Sequence, residues 1–86
     1  MGKYQKLIEF IKEGESDSNI AFDELCHLMR KLGFDERVRG SHHIFRKSGI
    51  EERINLQREG NMAKAYQVRQ IRNALIRYHL RIENDA

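Results

Sequence analysis

His42 and His43 stand side by side in Arg39-Gly40-Ser41-His42-His43-Ile44-Phe45-Arg46-Lys47, with only two other histidines among 86 residues. An imidazole titrates near neutral pH, so one of the pair can take or deliver a proton. With RNA the nucleophile can be the substrate's own 2'-hydroxyl. A base activates it against the adjacent phosphate, and nearby Arg and Lys stabilise the charge that builds up in the transition state. Either histidine, with Arg46, Lys47 and a later basic helix, would suffice, and DNA would be refused for want of the 2'-hydroxyl. Zinc is a poorer match. It needs three or four ligands at fixed geometry, and the remaining donors, Cys26, His27 and His79, fall on separate helices without a recognised spacing. No metal and no small-molecule cofactor is expected.

The elements that must position these residues follow from apolar periodicity. Tyr4, Leu7, Ile8 and Ile11 give a helix over Lys3 to Glu13, stopped by Gly14, and Leu25, Leu28, Met29 and Leu32 a second over about Phe22 to Leu32 with Gly33 at its end. Phe34 and Val38 then alternate with Asp35, Arg37 and Arg39, which predicts a half-buried strand reaching a Gly40-Ser41 turn. A second strand over His42 to Lys47 completes a hairpin, and Ile54 and Leu56 mark a short third strand. The stretch from Arg58 to Ala65 has no pattern and is expected to be a loop. Val68, Ile71, Leu75, Tyr78 and Ile82 share one arc of a last helix. The order α-α-β-β-β-α predicts an α+β fold, a three-stranded antiparallel sheet with helices on one face.

Successive strand residues point to opposite faces. If Phe45 faces the core, His43 shares its side and His42 lies on the open one. Both histidines cannot enter one site.

Residues 1–33 carry five Lys and Arg against six Asp and Glu, and residues 34–86 eleven against seven. Lys64, Arg69, Arg72, Arg77 and Arg81 follow Gly60 with no acid up to Ile82, a local field suited to phosphate. A solvated helix face would look the same. The length is that of one domain, 1–86, with residues 1–15 forming an N-terminal helix added to a core of 20–82. One cysteine, and no apolar run of signal or membrane-spanning length, predict a cytoplasmic protein without membrane contact.

Gly40-Ser41-His42-His43-Ile44-Phe45 resembles the HicA toxin pattern of glycine, small residue, histidine, two variable positions and an aromatic. The stretch Lys64 to Ile71 resembles the basic opening of that family's last helix. The resemblance runs from about Phe22 to Leu80. It implies a fold like the double-stranded-RNA-binding domain and a metal-independent mRNA endonuclease, silenced by a HicB-like antitoxin. It makes His42, three residues before the aromatic, the catalytic position. Gly40, Ser41, His43, Arg46, Lys47, Lys64, Arg69 and Arg72 become the RNA-binding set. The family often carries proline where this chain has Ala65, and it lacks the N-terminal helix, which would either extend the core or cover part of the sheet. A non-catalytic RNA-binding module of the same fold and a protein that only binds an acidic partner remain as alternatives.

Overall fold

A computed structural model describes residues 2–83. Helix α1 spans Lys3–Glu13 and ends at Gly14, whose φ of 73° is the left-handed conformation glycine adopts without penalty. Helix α2 spans Phe22–Lys31, with Asp23 and Glu24 in its first turn and Arg30 and Lys31 in its last, signs that suit the helix dipole at both ends. Its exit is a Schellman turn. The N–H of Gly33 donates to Arg30 O (3.0 Å) and that of Phe34 to Met29 O (3.1 Å). Gly33 is favoured there by its φ of 92°; a Cβ would also lie 2.5 Å from Glu83 Oε1 and 2.7 Å from Lys47 Nζ, the far ends of flexible side chains that could move aside.

The strands β1 (Asp35–Arg39), β2 (His42–Arg46), β3 (Ile54–Glu59) and β4 (Met62–Ala63) form one antiparallel meander in the order β1-β2-β3-β4. The sheet therefore has four strands, not the three expected. The fourth lies within the stretch read as a loop, because two residues are too few to show alternation. It is set by long-range bonds instead: Ala63 N–H donates to Ile20 O (2.9 Å) and Phe22 N–H to Asn61 O (3.0 Å). Gly40 (φ 59°) and Gly60 (φ 62°) each occupy the first position of a two-residue turn, where a hairpin favours glycine. Val38, expected on the buried side of a half-buried strand, is 54% exposed. Strand β1 is an edge strand with a single neighbour, so nothing flanks it on the outer side.

Helix α3 covers Ala65–Arg77 and ends earlier than the apolar arc suggests. His79 takes a left-handed φ of 51° and Leu80 N–H turns back to Leu75 O (3.2 Å), so Ile82 reaches the core from outside the helix. The core lies between the helices and one sheet face, built from Phe22, Leu25, Leu28, Phe45, Ile54, Leu56 and Ile71, with α1 adding Ile8 and Ile11. Burying each of those two contributes about 1.5–3 kcal/mol. Helix α1 packs on α3 and α2, so it extends the core.

One polar side chain is buried among the described residues, Gln67, at 1% exposure. Its amide, turned to suit its neighbours, donates to Gln57 O (3.2 Å) and accepts from Gln57 N–H (3.0 Å). Strand β4 has its last pair at Arg58 and Ala63, one step short of Gln57. A side chain from α3 thus takes the place of the missing strand partner and ties the helix to β3.

Candidate active site on the open sheet face

Antiparallel register sets the two faces of the sheet. Phe45 pairs with Ile54 and His43 with Leu56 on the covered side. On the open side His42 lies between Arg39 and Gln57, and Ile44 between Arg37 and Asn55. His42 is exposed and His43 partly buried, as strand parity requires.

His43 is held from two directions. Its Nδ1 is 2.7 Å from Glu36 Oε2, and its ring meets Phe22 edge-on at 5.1 Å. Glu36 also accepts two bonds from Arg30, at 2.8 and 3.0 Å. Arg30 first, and His43 after it, hold the Glu36 carboxyl below its ordinary range. Cys26 lies close enough that its Sγ, a Glu36 oxygen and a His43 nitrogen all fall within 4.8 Å of one another. These are metal-ligand types, but Arg30 already engages both oxygens of Glu36, and burial pushes the Cys26 thiol up to about 11. A cation would have to displace a guanidinium and a thiol proton together.

His42 has a simpler environment. Its Nδ1 is 3.2 Å from Asn55 Oδ1. An amide oxygen only accepts, so in the neutral ring Nδ1 carries the hydrogen and Nε2 keeps the lone pair. Asn55 thereby fixes both the tilt of the ring and its tautomer. Gln57 Nε2 donates to Ser41 Oγ (3.2 Å), bracing the hairpin tip next to His42.

Around Ile44 runs a shallow hollow lined by Arg37, Arg39, Arg46 and Arg53. No ion pair engages these four among the described residues. Asp35 and Glu36 also line the hollow, but the Glu36 carboxylate is bound to Arg30 and His43. A second recess adjoins His42 and is shared with Arg53, Asn55, Gln57 and, from the opening of α3, Tyr66, Gln67 and Gln70. The first turn of α3 has no acid and no side-chain cap, so its positive end is left uncompensated.

The sequence-expected residues divide accordingly. Gly40, Ser41, His42 and Arg46 share the hairpin and its open face, and Lys64 immediately precedes Ala65 and Tyr66 at the start of α3. Arg69, exposed, follows Tyr66 by three positions on the helix surface. Lys47 and Arg72 lie elsewhere and are occupied. Lys47 is paired with Glu83, and Arg72 holds Asp17 through two bonds (2.8 and 3.2 Å) while donating to Ile11 O. Arg37, Arg39, Arg53 and Asn55 are not among the sequence-expected site residues. Strand parity from His42 across the two-residue turn reaches Arg39 and Arg37, and the same alternation in β3 separates Asn55 from the buried Ile54 and Leu56.

Residues 22–77 match the family described as the HicA toxin of bacterial toxin-antitoxin systems, a stretch running from the first residue of α2 to the last of α3. No curated protein and no solved structure gives a significant match. The chain belongs to the HicA toxin family, with α1 outside the matched part.

Proposed function

From this membership and the open-face geometry, we propose that the protein is a metal-independent endoribonuclease acting on single-stranded mRNA. The reading is carried by one observation: His42, oriented by Asn55 through Nδ1, lies on a sheet face where four arginines have no ion-pair partner among the described residues. Nε2 takes the proton of a 2'-hydroxyl, the 2'-oxygen attacks the neighbouring phosphorus, and the bond to the 5'-oxygen breaks. The leaving oxygen takes a proton from water or from the imidazolium, and the products are a 2',3'-cyclic phosphate and a 5'-hydroxyl. Neutralising the charge on the phosphorane falls to guanidinium groups, which donate hydrogen bonds through a planar fork suited to phosphate oxygens. Arg46, Lys64 and Arg69 bind flanking phosphates. Gly40 and Ser41, exposed at the hairpin tip, let the strand come close to the backbone.

A HicB-like antitoxin is the expected partner, laying acidic surface over the arginines and His42 and so excluding RNA. The second reading is RNA binding without cleavage, on a fold like that of double-stranded-RNA-binding domains. It is favoured by the recess itself, where only His42 and Tyr66 among the lining residues can exchange a proton.

The two readings part on cleavage of a labelled single-stranded RNA in excess chelator by wild type, His42→Ala and His43→Ala. Loss of about 10²- to 10⁴-fold in His42→Ala alone is expected. Full activity in His42→Ala would sink the catalytic assignment. A wild-type protein that binds but never cuts would leave the binding module.

A further inference from the structure

The recess beside His42 is walled differently from the rest of the open face. The hollow around Ile44 is lined by four arginines, whereas the recess, about 150 Å3, shares only Arg53 with it and is otherwise lined by His42, four amides and one phenol ring. That volume is well below the roughly 300–1,000 Å3 of sites for drug-sized ligands, and suits a single planar group. Phosphate calls for charge. Amides, each with a donor and an acceptor, complement the edge of a base.

Three of the four amides are already engaged. Asn55 Oδ1 accepts from His42, Gln57 Nε2 donates to Ser41, and Gln67 is bound to the backbone of Gln57. Gln70 has no such bond among the described residues, so its oxygen and nitrogen are both available. One helical turn before it stands Tyr66, 55% exposed, and residues four apart lie one above the other on the same side of a helix. An uncovered aromatic ring beside a free amide is a stacking surface with a reader attached.

We propose that Tyr66 and Gln70 form a base subsite for the nucleotide next to the phosphate at His42, Tyr66 by stacking and Gln70 by a two-bond contact that favours adenine. A carboxamide matches the adjacent donor and acceptor of adenine, N6 and N7. Base stacking on an aromatic side chain is indifferent to sequence, so affinity comes from Tyr66 and preference from Gln70. The inference rests on RNA being the ligand of this face, but not on its being cut.

The test is fluorescence anisotropy with short oligouridine strands carrying a single central A, G, C or U, on wild type, Gln70→Met and Tyr66→Ala, with melting curves to confirm folding. Wild type is expected to bind the adenine strand about 5- to 150-fold more tightly than the others. Gln70→Met should bring the four strands level, and Tyr66→Ala should weaken all of them by a similar factor. Equal binding of the four by wild type, or a preference that survives Gln70→Met, overturns the subsite. Mapping cleavage of a mixed RNA keeps the two ideas apart: adenine preference in binding with no cleavage upholds the subsite and removes the nuclease, whereas unbiased cutting and unbiased binding do the reverse.

Discussion

On the covered face of the sheet Glu36, Arg30 and His43 satisfy one another against Phe22, while on the open face Arg37, Arg39, Arg46 and Arg53 surround Ile44 with no ion partner among the described residues. Two adjacent histidines fall on opposite sides of this division. The same contrast recurs on α3, where Arg72 is bound to Asp17 and Arg69, three residues earlier, is exposed with no ion pair among the described residues. A count of basic residues says little about function, because a charge already engaged within the chain holds the fold and only the remainder can meet a ligand.

The sharpest way to break that contrast is through salt dependence of RNA binding. Arg39→Ala with Arg46→Ala should lower the slope of log affinity against log salt by about 1.4, two single-strand phosphate contacts. Lys6→Ala with Lys12→Ala, on α1, should leave the slope unchanged. Equal losses from the two pairs would mean that the whole surface, not one face, attracts RNA.

A smaller effect is expected within α3. Arg72→Ala removes bonds to Asp17 and Ile11 O and should cost about 1.5–3 kcal/mol in urea denaturation. Arg69→Ala should change stability by less than about 0.5 kcal/mol and weaken RNA binding instead. A reversal of the two would exchange their roles.

Acid should loosen the covered face. Glu36 is held below an unfolded value of about 4.3, so its contribution is complete above that pH and is lost as pH falls through the lower folded value. Melting curves between pH 5 and pH 2 should show wild type losing more stability than Glu36→Gln. Glu52, lowered by its hydrogen bond from Tyr78, acts in the same direction and persists in that variant. Identical acid profiles for the two proteins would remove Glu36 from the account.

The smallest change expected is a gain. Ala65 is the first residue of α3, and Lys64 before it has the extended conformation, φ −76° and ψ 141°, that precedes proline. Ala65→Pro should raise stability by about 0.4–1 kcal/mol in thermal melts. A loss would mean that the Ala65 N–H is needed.

Much of this division was legible in the chain. Periodicity locates Lys3–Glu13 to the residue, and parity from a core-facing Phe45 puts His42 outside and His43 inside. What escaped has physical reasons. Met62–Ala63 is set by bonds to residues some forty positions away, and a two-residue strand leaves no pattern. The Arg72–Asp17 pair joins positions 55 apart, so the basic run after Gly60 looked uniformly available. Arg39 and Arg37 were within reach, since parity carried across the Gly40-Ser41 turn leads to them.

Gln67 gives the site a built-in reporter. Because the backbone N–H of Gln57 is satisfied by a side chain of α3 and not by a strand, it can exchange with solvent whenever that helix lifts, even while the ladder on either side stays closed. Its isotope-exchange rate would time the movement of α3 against the sheet, and with it the opening and closing of the recess beside His42.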